Sequence, residues 1–483
     1  METNSDRVFK NRWIILANII IAVFMSCLDS SIVNVTLPVM ARDLVAPMAS
    51  IEWVVTSYLI IICAVMLLMG RLSDIYGKAK VFQMGLATFT IGSFLCGIAS
   101  SLPLLVIARV IQAVGAAGTM ATNQGLITQI FPPTERGRAL GISGAAVALG
   151  ALVGPSLGGF IVSLLSWHYI FLINLPFGLI AWLWSQRTLP RDRSERPEPF
   201  DWKGALLFFL FIVPLFGGLI HGQTVGYGQS WIVAGFILSV VSLAAFLWVE
   251  RHVQAPLLHL GIFRDRLFSL SIFCGFISFI AISCSNIIQP FYLHNVQQLS
   301  PAGTGLIMSI FPLLLVVVAP ASGYLSDKIG SELLTFVGLV FTSFGLFLMS
   351  RLDQFSPLWV IGLFLAVLSI GNGLFQSPNN SLIMSTVPRD KLGIAGSVNA
   401  LVRNLGMTLG ITYSTSLLYF RMGQVAGRRV IDYIPGRPDV FIKGMSLVYL
   451  TAAAICLSGA LLTAYRLYRR PNRKARGGSE TME

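Results

Sequence analysis

The sequence predicts an all-α integral membrane protein of fourteen transmembrane helices, built from two parallel six-helix halves and a two-helix insert. Its composition, the spacing of its apolar segments and an internal repeat support this fold class. Of the 483 residues, 55% are apolar and only 11% are charged. Soluble domains carry about 25% charged residues, so this composition is typical of a protein that crosses the membrane many times.

Apolar segments recur along the whole chain. In windows of about 19 residues they lie near 13–40, 52–70, 81–99, 104–127, 138–164, 169–186, 204–221, 230–249, 267–291, 302–325, 332–350, 357–384, 392–420 and 444–467. At about 1.5 Å per residue, each is long enough to cross a hydrocarbon core of about 30 Å.

Two stretches of sequence occur twice. GRLSDIYG (70–77) returns as GYLSDKIG (323–330), with five of eight residues identical and an offset of 253. ATNQGLITQIFPPTERGRALGI (121–142) aligns with SPNNSLIMSTVPRDKLGIAGSV (377–398) at an offset of 256. Both copies follow the second and fourth spans of a six-span unit. The repeat therefore predicts two parallel six-helix halves, as in transporters built from parallel repeats.

Two apolar spans remain between the halves, after a polar linker rich in proline and charge. The predicted domains are an N-terminal six-helix bundle (1–190), a linker with two inserted helices (191–255), a C-terminal six-helix bundle (256–467) and a cytoplasmic basic tail (468–483). The insert carries no charge within its apolar spans, so we expect it to act as a lipid-facing brace.

Lysine and arginine are distributed unevenly between the loops. If the N-terminus is cytoplasmic, the inner loops and tails hold 25 of the 34 Lys and Arg residues and the outer loops hold seven. The positive-inside rule then predicts a multi-pass protein of the cytoplasmic membrane with both termini in the cytoplasm. The net charge of +13 fits anchoring at the membrane surface, so we expect the lipid bilayer and no nucleic acid as a partner.

Signatures of enzymes are missing from the sequence. The five histidines show no metal-ligand spacing, and no Gly-rich loop has the form GxxxxGK[ST]. All six cysteines fall within predicted spans, which argues against a disulfide framework. We expect no enzymatic activity, no metal and no cofactor. Without an ATP-binding motif, any uphill transport must use an ion gradient.

Five motifs carry a family resemblance. LDSSIVNVTLP (28–38), GRLSDIYGKAK (70–80), ARVIQAVGAA (108–117), GALVGPSLGG (150–159) and WHYIFLINLPFG (167–178) resemble motifs of the major facilitator superfamily, in particular its fourteen-span drug:proton antiporter branch. The resemblance covers almost the whole chain. It is specific for the family and weakly specific for substrate. It implies the major facilitator fold and export in exchange for protons, as in inner-membrane multidrug efflux and drug resistance.

Asp29 is the one acidic residue deep within a predicted span. A carboxylate near the bilayer centre costs about 2.5–3.5 kcal/mol, so such a residue should face a cavity and have a role. Arg109, at a similar depth in the fourth span, is the expected partner for proton coupling. Two interpretations stay open. Asp29 is either a structural tie between helices or a switch that holds a proton or a cationic substrate, but not both.

Small and charged residues at 70–78 and 150–158, and Asp327 in the repeated loop, indicate conformational motifs. In the GRLSDIYG loop, glycines permit a tight turn and the aspartate can face a helix N-terminus. Ile75 stands where the family usually has a basic residue, so a plain turn is the alternative to a latch. Gly150, Gly154 and Gly158 share one helix face that permits close packing, which we expect to lie against the opposite half. The full set is Gly70, Asp74, Gly77, Lys78, Gly150, Gly154, Pro155, Gly158 and Asp327.

Polar and aromatic side chains within spans are candidates for substrate contact. Such a set can form an adaptable pocket through amide, cation–π and sulfur contacts. The candidates are Asn34, Trp53, Tyr58, Gln112, Asn123, Asn286, Gln289, Tyr292, Phe375, Asn379, Asn380 and Arg403. For Arg403 a structural or gating role and anion binding both remain open.

The sequence therefore predicts a monomeric secondary exporter of amphipathic, cationic small molecules in exchange for protons, working by alternating access. One alternative is a proton-coupled exporter dedicated to a single endogenous metabolite, which can be anionic and held by Arg109 or Arg403. Another is a proton-independent facilitator or lipid translocase, with Asp29 purely structural.

Overall fold

The computed structural model describes residues 11–46, 48–51, 53–190, 200–253, 255–299, 301–388, 391–428, 430 and 433–469. The side chains of Asn34 and Pro155 lie outside the described part of the chain, as does nearly all of the basic tail.

Long helices account for most of the described residues. They are α1 (Arg12–Asp43), α2 (Trp53–Tyr76), α3 (Lys78–Gly97), α4 (Leu102–Ile130), α5 (Pro133–Leu164), α6 (Asn174–Thr188), α7 (Trp202–Val225), α8 (Ser230–His252), α9 (Arg266–Phe291), α10 (Ile310–Ile329), α11 (Ser331–Met349), α12 (Leu358–Ser385), α13 (Leu392–Ala426) and α14 (Pro438–Arg469). Shorter helical pieces are Met48–Ile51, Tyr169–Leu172, Leu260–Arg264, Tyr292–Val296 and Pro301–Met308. Within these ranges no strand occurs, so the all-α prediction is confirmed.

Thirteen helices of the described chain are long and apolar enough to cross a membrane. Each coincides with a predicted span. The remaining predicted span is α13, which is 35 residues long but carries Asn399, Arg403 and Asn404 in its first half. Its second half adds Thr412, Ser414, Thr415 and Arg421, so polar residues lower the hydropathy along the whole helix. The fourteenth crossing stays a prediction.

The chain divides into two compact units. The first comprises residues 1–265 together with 384–404, and the second comprises 266–383 with 405–483. The inserted helices α7 and α8 belong to the first unit, and so does the first part of α13. The second unit holds α9 to α12, the rest of α13, and α14.

Unusual backbone conformations recur at the offset of the sequence repeat. Gly77, which ends GRLSDIYG, has φ = 97°, and Gly330, which ends GYLSDKIG, has φ = 92°. These left-handed values favour glycine because it lacks a Cβ. Val45 and Gln298 are non-glycine residues with φ of 49° and 54°, and they too lie 253 residues apart. The repeat read from the sequence is therefore also a repeat of backbone structure.

Close helix contacts recur in the same way. A Cβ built on Gly92 in α3 would lie 2.5 Å from the Cα of Gln112 in α4. A Cβ on Gly345 in α11 would lie 2.8 Å from the Cα of Leu368 in α12. The glycines are 253 residues apart and their partners 256 apart. The pairs α3–α4 and α11–α12 are thus equivalent, and the difference of three residues falls in the loops that join them.

Candidate functional site

A buried polar cluster lies between two apolar cores of the first unit. One core contains Val23 of α1 and Leu126 of α4, and the other contains Ile32 of α1 and Leu105 of α4. Asp29 on α1 and Arg109 on α4 fall between these positions along their helices. Apolar packing on both sides therefore separates the cluster from water in this conformation.

Asp29 and Arg109 form an ion pair in which neither side chain is exposed. Nη1 of Arg109 donates to Oδ2 of Asp29 at 2.5 Å. The other carboxylate oxygen, Oδ1, accepts from Nε2 of Gln112 at 2.9 Å and from Nδ2 of Asn174 at 3.0 Å. Three donors thus surround the carboxylate, which is the arrangement a buried charge needs.

The guanidinium of Arg109 is held by further contacts. Its Nε donates to the carbonyl oxygen of Val54 at 2.9 Å, and its Nη1 donates to Oε1 of Gln112 at 2.6 Å. The ring of Tyr58 lies 3.9 Å from the guanidinium carbon, a cation–π distance. Among the described atoms, Nη2 has no hydrogen-bond partner. The guanidinium therefore has one nitrogen, with two N–H groups, that is unused inside the cluster.

Ser93 of α3 completes the cluster. Its Oγ accepts from Nε2 of Gln112 at 2.7 Å and from Nδ2 of Asn174 at 3.4 Å. Ser93 and Asn174 are not among the residues that the sequence predicts for the site. Asn174 lies in the motif WHYIFLINLPFG, which provides a signal, whereas a serine in α3 provides none. The cluster joins α1, α2, α3, α4 and α6.

The second unit has apolar residues at the equivalent positions. Asp29 and Ser93 correspond to Ile282 and Leu346 at the offset of 253. Arg109 and Gln112 correspond to Leu365 and Leu368 at the offset of 256. All four apolar residues are buried. The same helix arrangement therefore packs with isoleucine and leucine where the first unit has an ion pair.

This asymmetry bears on the two interpretations of Asp29. Replacing a buried ion pair by apolar residues of similar volume is often neutral or stabilising. The second unit is an example within the same chain, because its helices pack closely without such a pair. Packing alone thus gives no reason for a buried carboxylate and guanidinium in the first unit, and this favours a functional role for the pair.

The candidate substrate residues of the first unit lie in different places. Tyr58 and Gln112 belong to the Asp29 cluster. Trp53 is 40% exposed and contacts the ring of His221 on α7. Asn123 is nearly buried and donates to Oγ of Ser143 at 3.1 Å. The structure brings two of these four residues to Asp29, and substrate contact stays a prediction for all four.

The candidates of the second unit are mostly engaged with neighbouring helices. Oε1 of Gln289 accepts from the hydroxyl of Tyr449 at 3.0 Å, and Nδ2 of Asn379 donates to the carbonyl oxygen of Ser271 at 3.1 Å. The Tyr292 hydroxyl donates to the carbonyl oxygen of Asp353 at 2.6 Å. Phe375 is buried in an apolar cluster, Asn380 is half-buried and Asn286 is exposed. Their role in substrate binding stays a prediction.

Arg403 is half-buried on α13, in the part of that helix that belongs to the first unit. Its role, whether structural, gating or anion-binding, stays a prediction.

The last turns of α2 contact the N-terminus of α13. Both carboxylate oxygens of Asp74 accept backbone N–H groups, from Gly393 and from Ile394, each at 2.9 Å. Nζ of Lys78 lies 3.3 Å from Oδ1 of Asp74. A Cβ on Gly70 would meet the Ser397 side chain and lie 2.9 Å from the carbonyl oxygen of Gly393. The carboxylate at this helix end is favoured by the unpaired N–H groups and the helix dipole.

We expect Asp74→Ala to loosen the start of α13 while the fold is retained. Hydrogen bonds to a charged group contribute about 1.5–3 kcal/mol, so exchange of the Gly393 and Ile394 amides should accelerate on the order of tenfold to a hundredfold. Hydrogen-exchange mass spectrometry measures this. The matched control is Asp353→Ala, which removes a carboxylate that accepts the amide of Phe355. Unchanged exchange at 393–394 in Asp74→Ala would show that this contact does not hold α13.

The glycine face of α5 packs against α1. A Cβ on Gly150 would lie 2.9 Å from the carbonyl oxygen of Phe24, and one on Gly154 would meet the side chain of Ser31. A Cβ on Gly158 would lie 2.8 Å from Ile32. The expectation that this face lies against the opposite half is therefore wrong for these glycines. Their spacing predicted a close helix contact but did not identify the partner helix.

We expect Gly150→Val to destabilise the first unit, because the added methyl groups push α1 and α5 apart. Overpacking of this kind costs about 1–3 kcal/mol. Gly159→Val is the matched control on the same helix, since a Cβ at Gly159 meets nothing within 4 Å. Thermal unfolding in detergent should show a lower midpoint for Gly150→Val alone. Equal midpoints for the two variants would contradict the close α1–α5 contact.

The insert approaches both ends of α2. The ring of His221 on α7 lies 5.6 Å from the ring of Trp53, at the start of α2. At the other end of α2, Arg71 is buried and within electrostatic range of Glu250 on α8. Asp201 precedes α7, and its Oδ1 accepts the amide of Gly204 at 2.9 Å. The lipid-facing brace expected from the sequence thus also carries buried charges at one end.

Comparisons with known proteins identify the family of this chain. The model of the Major Facilitator Superfamily matches residues 19–411. The riboflavin transporter RibZ of Clostridioides difficile (strain 630) is 34% identical over 458 residues, which cover 94% of this chain and 98% of that protein. The multidrug resistance protein Stp of Mycobacterium tuberculosis (strain CDC 1551 / Oshkosh) is 31% identical over 400 residues, covering 82% of this chain and 74% of that protein.

A solved structure has the same fold. The human organic anion transporter MFSD10 (TETRAN) superposes with a TM-score of 0.64 over 96% of this chain and 100% of that one. The two sequences are 16% identical, so this likeness concerns the fold alone.

Proposed function

The chain belongs to the major facilitator superfamily of membrane transporters, and we propose that it exports amphipathic, cationic compounds in exchange for protons. The fourteen-span drug:proton antiporter branch, the cytoplasmic membrane and cytoplasmic termini are part of this proposal. The buried ion pair of Asp29 and Arg109, replaced by apolar residues in the second unit, is the observation that carries it.

The chemistry follows from the groups around Asp29. As a carboxylate, Asp29 is stabilised by Arg109 and by the amides of Gln112 and Asn174. A proton on the carboxyl removes its charge and weakens the charge-assisted hydrogen bonds. A cationic substrate that reaches Asp29 competes for the same negative charge. Proton and cation therefore exclude each other, which is the requirement for exchange in opposite directions.

Exchange also needs access to the cluster from one side at a time. In the present conformation Asp29, Arg109 and Gln112 have no exposed surface, so binding requires a rearrangement of the surrounding helices. Such a rearrangement can break the hydrogen bonds that the backbone of α13 donates to Asp74. Protonation changes the charge on α1, at Asp29, and loss of the Asp74 contact frees the amides of Gly393 and Ile394 from α2. Both helices belong to the same unit.

A second candidate function is favoured by one comparison. RibZ, a riboflavin transporter by name, is 34% identical over 94% of this chain. A transporter dedicated to one metabolite would use Asp29 for proton coupling and Arg403 or other polar groups for the substrate. Riboflavin carries no positive charge, so competition at Asp29 would not involve the substrate directly.

Uptake into inside-out vesicles with an imposed pH gradient tests the proposal. The probes are ethidium as an aromatic cation, riboflavin as a neutral compound and fluorescein as an anion. We expect ethidium to accumulate when the vesicle interior is acidic and the accumulation to collapse with a protonophore. Accumulation of riboflavin alone would support the dedicated transporter. Gradient-independent equilibration of every probe would contradict proton exchange.

A further inference from the structure

A pocket of about 680 Å³ lies where α8, the segment after it and the start of α13 meet in the first unit. Four of its lining residues can carry positive charge, namely Arg251, His259, Arg264 and Lys391. Its remaining wall includes the apolar side chains of Leu247 and Phe263. The pocket is separate from the Asp29 cluster and shares no residue with it.

Two arginines and a lysine of this pocket have no acidic partner in the described part of the chain. Arg251, Arg264 and Lys391 form no ion pair with any residue of the described chain. Glu250 also lines the pocket, but its Oε2 accepts the amide of Leu258 at 2.9 Å. Its Oε1 is turned towards α7, because a Cβ on Gly204 would lie 2.7 Å from it. Among its described lining residues, the pocket therefore presents more positive than negative side chains.

The helix beside the pocket has an apolar outer surface. Ile237, Val240, Val241 and Trp248 of α8 are all more than half exposed. Acyl chains can lie along such a surface, and tryptophan is typical of the level of the lipid headgroups. The pocket lies at the end of α8, past Trp248, so its charges fall where a lipid phosphate would be. Basic pockets of this kind between helices bind anionic headgroups.

We propose that this pocket binds the phosphate of an anionic phospholipid from the leaflet on the side of Asp74. Arg251 and Arg264 contact the headgroup from the insert side, and Lys391 contacts it from the chain that leads into α13. Lys391 directly precedes the helix whose first amides Asp74 holds. The lipid thus bridges the insert and the start of α13. The inserted helices would then help to stabilise the contact between Asp74 and α13.

Binding is measured on the full-length protein in detergent by the shift in unfolding temperature on titration with dioleoylphosphatidylglycerol. Dioleoylphosphatidylcholine and inorganic phosphate are the comparison probes. We expect stabilisation by phosphatidylglycerol only. The variant R251Q/R264Q/K391Q should bind phosphatidylglycerol roughly a hundredfold more weakly, at about fivefold for each cation removed. The control K80Q/R187Q/K203Q removes three exposed cations outside the pocket and should bind like the wild type.

An equal response of the two triple variants would overturn the proposal, and so would equal stabilisation by phosphatidylcholine. Stabilisation by inorganic phosphate to the same extent would overturn the lipid as the occupant. If the pocket variant does not fold, photolabelling of the wild type decides the question. A photoactivatable phosphatidylglycerol should label the peptide around His259–Arg264 and α8, and labelling that spares this region would contradict the proposal.

Discussion

Asp29→Asn is expected to lose proton-driven accumulation of a cationic substrate, and to unfold at a lower temperature than the wild type because the buried guanidinium of Arg109 loses its counter-charge. Asparagine keeps the shape of the side chain and can still accept from Gln112 or Asn174, whose amides contact Oδ1 in the wild type. It fixes the group in a neutral state that resembles the protonated carboxyl. Uptake of ethidium into inside-out vesicles should fall from uphill accumulation to downhill exchange, whereas neutral substrates should be affected less.

Asp29→Glu provides the matched comparison. It keeps a titratable charge at a slightly different reach, so we expect part of the gradient-driven uptake to remain. A purely structural Asp29 predicts a different outcome, namely that the folded Asp29→Asn protein stays coupled to the gradient. Full uphill export of the cation by well-folded Asp29→Asn would rule out the proton switch.

Arg109→Leu should be strongly destabilising, and a second substitution should reverse most of that effect. The single change leaves the carboxylate of Asp29 buried without its cation, a loss typically of about 3–5 kcal/mol. The double variant Asp29→Ile/Arg109→Leu installs the residues that the second unit has at these positions, Ile282 and Leu365. We expect it to unfold near the wild-type temperature and to have no proton-coupled transport.

Thermal unfolding and vesicle uptake on the same preparations separate the two roles of the pair. Gln112 keeps its hydrogen bond to Ser93 in the double variant, so its amide is not left without a partner. A double variant as unstable as Arg109→Leu would show that the first unit needs the pair for packing. A stable double variant that still accumulates cations would show that transport does not depend on the pair.

The helices and the buried ion pair were predictable because each rests on a strong local signal. Apolar segments of membrane-spanning length define the helices, and a carboxylate and a guanidinium at similar depth each need an oppositely charged partner. By depth, the sequence makes Arg109 the nearest candidate partner of Asp29, and the structure shows that the two residues pair. Ser93 has no such signal, because a serine in a membrane helix usually bonds to its own backbone, as Ser26 does to Ala22.

The partners of helix faces were less predictable. The spacing of Gly150, Gly154 and Gly158 defines a face that permits close approach, but no periodicity states which helix lies there. The same limit applies to polar residues in spans. Gln289 and Asn379 bond to neighbouring helices, and a polar side chain satisfied in this way has the same sequence pattern as one that contacts a substrate. The burial of the side chain and its hydrogen-bond partner distinguish a structural polar residue from one that contacts a substrate. Both are known only from the tertiary structure.

The exchange of a proton for a substrate at Asp29 is tested most directly by proton release on binding. Purified protein in detergent and weak buffer is mixed with ethidium while a pH indicator is monitored, and the release is expressed per bound substrate. Over a series of starting pH values, the wild type should show proton release on binding, and Asp29→Asn should show none at comparable occupancy. Equal release by the two proteins would contradict the assignment of Asp29 as the group that exchanges proton for cation.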